Sequence, residues 1–202
     1  GKSVNPGIHR RTGIISTLYS SRTLLYTYYE NQVSEQRRNE DSGGKSMAIL
    51  KLAPSFKDYI WGGRRLIEEY HKPYDGDILA ESWEVSCHPD GPSFVTNGEY
   101  AGKTLQEYID LAGREVLGTN CRRFDEFPVL IKFIDAKDNL SIQVHPDNAY
   151  ALKNEHQYGK TEMWYVVDCE EGAYLYYGFN REVSKEEFAE RIKNNTLLEV
   201  LN

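Results

Sequence analysis

The residues best suited to chemistry lie between Leu140 and Trp164, in Leu-Ser-Ile-Gln-Val-His-Pro-Asp, then a polar loop, then Gly-Lys-Thr-Glu-Met-Trp. Side chains of an extended segment alternate faces, so Ser141, Gln143 and His145 point one way while Leu140, Ile142 and Val144 point to a core. Glu162 opens a second strand-like run, Glu-Met-Trp-Tyr-Val-Val-Asp, and Lys160 precedes it by two residues on the same face if that stretch is also extended. If the two strands pair, an amide oxygen, an imidazole and a carboxylate converge beside an ammonium. That donor set suits a divalent metal holding a hydroxylated, anionic substrate. The same pattern also describes a half-solvated antiparallel strand whose outward residues are polar.

The elements that would position this set are short strands. Phe127 to Asp135 is a nearly continuous apolar run of β-favouring residues, the pattern of a central strand covered on both faces. Asp138-Asn139 then turns the chain into the Leu140 strand, and two strands joined so tightly read as a hairpin. Ile78 to Ser86 alternates and puts Glu81 and Trp83 on one face, at a solvated edge or in a cleft. Trp61 before Gly62-Gly63 is either the flat wall of a sugar site or a core tryptophan beside a turn. His88 sits in the turn cluster His-Pro-Asp-Gly-Pro and reads as a surface histidine.

Two helices attach to these strands. Thr104-Leu-Gln-Glu107 is a capping box, because the threonine hydroxyl and the glutamate carboxylate can each satisfy an orphan amide at a helix start. Apolar residues at helical spacing predict a helix from about 105 to 117, ended near Gly118. Ser184-Lys-Glu-Glu187 predicts a second capped helix, and Pro146-Asp147 starts a short helical or irregular stretch that runs through His156. Antiparallel pieces with turn signals and added helices favour a mainly β fold, a jelly-roll-like β-sandwich, over any βαβ arrangement. No Gly-x-Gly-x-x-Gly or Walker motif occurs, so a nucleotide cradle has no support.

Composition narrows the partners. A net charge of -7 argues against a nucleic-acid partner, since phosphate contacts need clustered Lys and Arg. No run of about 18 apolar residues is present, so no membrane partner is expected. Cys87, Cys121 and Cys169 are an odd count at wide spacings, which fits reduced thiols in a cytoplasm better than a disulfide scaffold. None of them is assigned chemistry.

Residues 1–46 differ from the rest. They hold seven basic and four acidic residues, a surplus of +3 against -10 for the remainder. A basic, Ser-rich leader can be a transit peptide. The polar linker from Gln36 to Ser46, followed by Met47, favours a disordered or non-native extension, with the folded domain expected over 47–202.

Several segments together resemble the type I phosphomannose isomerases, zinc-dependent cupin enzymes. They are Tyr59-Ile-Trp-Gly62, Ala80-Glu-Ser-Trp83, the Gly-x-x-x-Gly-x-Thr-Leu of 98–105, Pro128 to Asp135, Leu140 to Asp147 and Gly159-Lys-Thr-Glu-Met-Trp164. The pairing of Gln-x-His-Pro with Lys-x-Glu-Met is the specific part. The resemblance implies Zn2+ held by Gln143, His145 and Glu162, with a further histidine and an active-site arginine expected beyond Asn202 in a chain that looks truncated. It also implies that Ser141 and Lys160 contact substrate while Trp61 and Glu81 help to line the cleft. The implied reaction interconverts mannose 6-phosphate and fructose 6-phosphate through a cis-enediol. A chain with three of four ligands is expected to bind zinc weakly and to be inactive alone. The donor types leave two alternatives, an Fe(II) cupin oxygenase and a non-catalytic sugar-binding cupin.

Overall fold

The computed structural model describes residues 14–19, 23–29 and 49–202. Its strands are β1 (Ile14–Tyr19), β2 (Thr23–Tyr29), β3 (Leu52–Ala53), β4 (Ser55–Lys57), β5 (Glu81–Val85), β6 (Phe94–Val95), β7 (Ile131–Ala136), β8 (Gln143–His145), β9 (Glu162–Cys169) and β10 (Tyr174–Tyr177). The α-helices are α1 (Arg65–Glu68), α2 (Leu105–Ala112), α3 (Asn148–Asn154) and α4 (Lys185–Asn194). The registers traced between strands are antiparallel, and the helices are short, so the mainly β class expected from the sequence is the class observed. No helix among the described residues is long and apolar enough to cross a membrane.

The chain divides into two compact units, one built from 141–160 and 175–202 with the start of β1, the other from 18–140 and 161–174. The larger contains a five-stranded sheet in the order β4-β5-β7-β2-β9 and a two-stranded β3-β6 pair. As its apolar run predicts, β7 is the middle strand, although only Ile131–Ala136 of that run is extended. One face of the sheet carries Phe133 against Leu66 and Leu79, with Phe56, Ile67, Tyr70 and Tyr74 around them. The other carries Ile134 and Ala136, packed by Trp61, Leu140 and Trp164. Period-2 alternation along β7 therefore sends odd and even residues to two separate apolar clusters, which is why the strand reads as continuously hydrophobic.

Asp135 interrupts that pattern. It is fully buried and its Oδ2 accepts the Arg65 amide at 2.7 Å, so it satisfies a donor at the start of α1. Burial pushes its carboxyl upward, opposed by the amides and charge of Arg65 and by the Leu66 amide. A Cβ at Gly63 would sit 2.5 Å from that same oxygen, and one at Gly62 would sit 2.6 Å from Ala80. The two glycines thus let the segment after Trp61 lie directly on β5 and β7, and the Trp61 carbonyl accepts the Lys137 and Asp138 amides at 3.0 Å each.

Two expectations are corrected, and a third falls largely on residues that are not described. β7 and β8 do not form a hairpin: β7 pairs with β5 and β2, while β8 is the edge of a separate β10-β1-β8 sheet. Both sides of β7 are taken by other strands, so the turn at Asp138-Asn139 cannot return the chain along it. The predicted helix over 105–117 stops at Ala112, because Gly113 at φ 92 breaks the α-helix and Arg114–Leu117 continues as a 3-10 turn. The extension expected over 1–46 falls mostly outside the described residues; of these, Ile14–Tyr19 and Thr23–Tyr29 are strands, and β2 lies between β7 and β9 in sheet order.

Candidate active site

In the smaller unit the candidate residues lie on β8 and on the loop that returns after α3. Gln143 Nε2 donates to Ser141 Oγ at 3.0 Å, as expected for residues two apart on one face, and this fixes which end of the amide faces away. Lys160 Nζ lies 3.3 Å from His145 Nε2. An ammonium has no lone pair to offer, so beside a charged lysine that ring nitrogen is the acceptor and the imidazole proton belongs on Nδ1. Ser141 and Gln143 are exposed, His145 and Lys160 half-buried. Val144, expected on a core face, is 50% exposed, because β8 is a three-residue edge strand with little packed over it.

In the larger unit the chemistry sits on one face of the five-stranded sheet. Trp83 pairs with Lys132 and Glu81 with Ile134 across β5 and β7, and the register continues from Lys132 through position 27 of β2 to Trp164 of β9. Paired residues share a face, so Glu81, Trp83, Lys132 and Trp164 lie together, and Glu162 joins them two residues before Trp164. Trp83 Nε1 donates to Glu81 Oε2 at 2.7 Å and Lys132 Nζ to Glu81 Oε1 at 2.9 Å. Glu81 is only 5% exposed, so both of its oxygens are matched inside the protein. The Lys132 and Lys57 ammoniums approach the Trp83 ring at 5.7 and 5.0 Å. Trp61 stacks on Tyr59 with ring centroids 5.6 Å apart, and Tyr59 has its hydroxyl held above the usual phenol range by burial first and by the charges of Glu81, Asp90 and Asp58.

Each sequence-predicted residue is therefore accounted for within its own unit. The structure brings Ser141 to Gln143 and Lys160 to His145, and it puts Glu162 on the face that carries Glu81. It does not pair β8 with β9, which belong to different sheets, so a shared ladder is not what relates the Gln-x-His and Lys-x-Glu segments. Among the described residues no three His, Cys, Asp or Glu side chains gather as a metal site; the predicted set takes one of its three donors from an amide. Lys132 was missed. Its signal was a lone cation in the middle of an apolar strand, where burial requires an acid opposite. His88 is exposed, as expected, with its ring edge-on to Trp83. Burial, and after it the charge of Asp110, push the half-buried Cys87 thiol up to about 12, which disfavours its reactive thiolate.

Comparison with known proteins bears on these residues directly. Residues 49–172 match the model of the phosphomannose isomerase type I catalytic domain. A mannose-6-phosphate isomerase from Streptococcus mutans is 46% identical over 143 residues, covering 71% of this chain and 44% of that protein. A putative mannose-6-phosphate isomerase from Bacillus subtilis is also 46% identical, over 128 residues, covering 63% of this chain and 40% of its own length. The crystal structure of a Bacillus subtilis mannose 6-phosphate isomerase superposes with a TM-score of 0.69 at 42% identity, over 76% of this chain and 48% of that one. The chain thus spans nearly half the length of the relatives it matches, and at this identity the likeness carries the mainly β, cupin-like fold. The match covers β3 through β9, the candidate residues on β5, β7, β8 and β9 included, and the chain belongs to the type I phosphomannose isomerase catalytic-domain family.

Proposed function

We propose that this chain carries much of the active centre of an aldose-ketose isomerase that interconverts mannose 6-phosphate and fructose 6-phosphate, with zinc held by Gln143, His145 and Glu162. The donor chemistry fits that ion. Gln143 has its amide nitrogen engaged by Ser141, which leaves Oε1 as its donor atom. His145 has its lone pair on Nε2, which zinc would take in place of the Lys160 contact, and Glu162 supplies a carboxylate. When bound, zinc would offset the negative charge that develops on two neighbouring oxygens as a proton moves between C1 and C2 through a cis-enediol.

The chain's own residues supply the rest of the reading. Lys160 holds the phosphate or assists the proton transfer, since its ammonium lies beside the imidazole and, released from it by zinc, can turn to the substrate. Ser141 orients the glutamine amide and offers a hydroxyl on the same strand face. Trp61, stacked on Tyr59, presents a flat apolar wall of the kind on which a sugar ring rests. Glu81 and Lys132 form a neutralised pair on the sheet face.

The observation that carries the reading is the 3.3 Å approach of Lys160 to His145, in a chain whose relatives bear the isomerase name. The test is zinc content together with solvent-proton exchange at C2 of the sugar phosphate, in a form of the chain extended to the length of its relatives. The expected result is one tightly held zinc and exchange that disappears in His145→Ala. A folded, zinc-loaded protein that exchanges nothing would defeat the proposal.

A further inference from the structure

We infer that Asn148 and Gly159 are positioning residues for Lys160: they seat the backbone ahead of the lysine on the turn that follows His145, and so set its ammonium against the imidazole. The inference rests on the isomerase reading for the purpose of that lysine, though its geometry stands apart from it. A lysine side chain has four flexible methylenes and a point charge at the end, so its own stem does little to fix where the charge goes. The segment from 155 to 160 has no regular structure of its own. Something outside the side chain must hold it.

Two hydrogen bonds and one steric constraint do so. The Gly159 amide donates to Asn148 Oδ1 at 2.8 Å, and the Lys160 amide donates to the Pro146 carbonyl at 3.2 Å. Gly159 is buried, and a Cβ there would fall 2.5 Å from the Pro146 carbonyl oxygen and from the Asp147 carbonyl carbon, so only glycine lets the two backbones touch. The platform is itself anchored. Asp147 caps α3 by accepting the Tyr150 amide at 2.8 Å, and α3 fixes its far side through Ala151, 1% exposed. Asn148 is the first residue of α3, so its carboxamide projects from a rigid start. His145 leads directly into this turn. The strand that carries the imidazole and the loop that carries the ammonium are thereby tied to one three-residue segment, 146–148.

The test is the acylation rate of Lys160, mapped by mass spectrometry and read against Lys153, an exposed lysine on α3, together with amide exchange at Gly159 and Lys160. In the native chain Lys160 should react more slowly than Lys153 and both amides should be protected. Asn148→Ala should speed Lys160 acylation about fivefold relative to Lys153, the factor that one hydrogen bond of ordinary strength represents. Asn148→Asp keeps the acceptor oxygen and should restore the native rate, while Gly159→Ala should speed acylation at least as much as Asn148→Ala. Unchanged Lys160 acylation and amide exchange in folded Asn148→Ala would overturn the inference, as would an equal rise at Lys153, which would mean general loosening. Absence of C2 exchange in the extended form, with Lys160 still protected, would break the isomerase reading and leave the seat standing. An unprotected Lys160 in the native chain would do the reverse.

Discussion

Two polar clusters in this protein solve the same problem in opposite ways. On the five-stranded sheet, buried Glu81 and Trp83 and half-buried Lys132 satisfy one another, with each carboxylate oxygen of Glu81 matched to a donor. On β8 and its loop, Gln143, His145 and Lys160 are half-buried or exposed and are held by short local contacts, Ser141 to Gln143 and the 146–148 turn to Lys160. The first cluster is a piece of the fold: removing Glu81 leaves a half-buried ammonium without its acid. The second is expected to contribute little to stability, and the proposal makes it part of a ligand set. Polar residues on alternating strands can thus mean either structure or chemistry, and the contrast lies in Glu81, buried with both oxygens matched, against exposed Gln143.

That contrast gives a graded set of expectations. Glu81→Ala leaves the half-buried Lys132 ammonium without its acid and should cost about 3 kcal/mol of unfolding free energy, read from urea titration; a loss below about 1 kcal/mol would place the pair with ordinary surface salt bridges. Trp83→Phe keeps most of the ring but removes the donor to Glu81 Oε2, and should cost about 1–3 kcal/mol by the same measurement. His145→Ala and Gln143→Ala should leave stability within about 0.5 kcal/mol of native. A large destabilisation by either would mean that the β8 cluster is structural after all.

The smallest effect is alkaline. Cys87 keeps its proton in the folded chain up to about 12, whereas in the unfolded chain it ionises near its ordinary value of 9.0. The unfolded chain therefore sheds the proton first, and stability should fall as pH rises through that window and be indifferent to this thiol below it. Comparing the alkaline slopes of the native chain and Cys87→Ala checks the sign. A Cys87 that alkylates as fast as exposed Cys169 near pH 8 would contradict the burial on which it rests.

How far the sequence could be read depended on the range of the forces involved. The capping box at Thr104 was legible because it is local: the Glu107 amide donates to Thr104 Oγ1 at 3.1 Å and the Thr104 amide to Glu107 Oε2 at 2.7 Å. Glu81 and Trp83 on one face followed from alternation alone. At Ser184 only half the box forms, since the hydroxyl accepts the Glu187 amide but the Glu187 carboxylate is drawn to Arg181 and Arg191. The hairpin failed because strand partners are chosen by which edges are already occupied, and nothing within 127–145 reveals that β5 and β2 occupy both edges of β7. Asp135 and Lys132 were opaque for a related reason. Each answers to a group far along the chain, Arg65 for one and Glu81 for the other.

The central claim is the proposal that Gln143, His145 and Glu162 are zinc ligands while Glu81, Lys132 and Trp83 are structural. The most direct measurement is a zinc titration by calorimetry on the 202-residue chain, set beside His145→Ala, Glu162→Gln and Lys132→Met. The account predicts one zinc per chain, weakened by at least about 100-fold in His145→Ala and Glu162→Gln, since losing a ligand should cost no less than losing a residue that merely supports one. Lys132→Met should leave the zinc affinity of the folded fraction unchanged. Zinc binding that survives loss of His145, or that vanishes with Lys132, would contradict it.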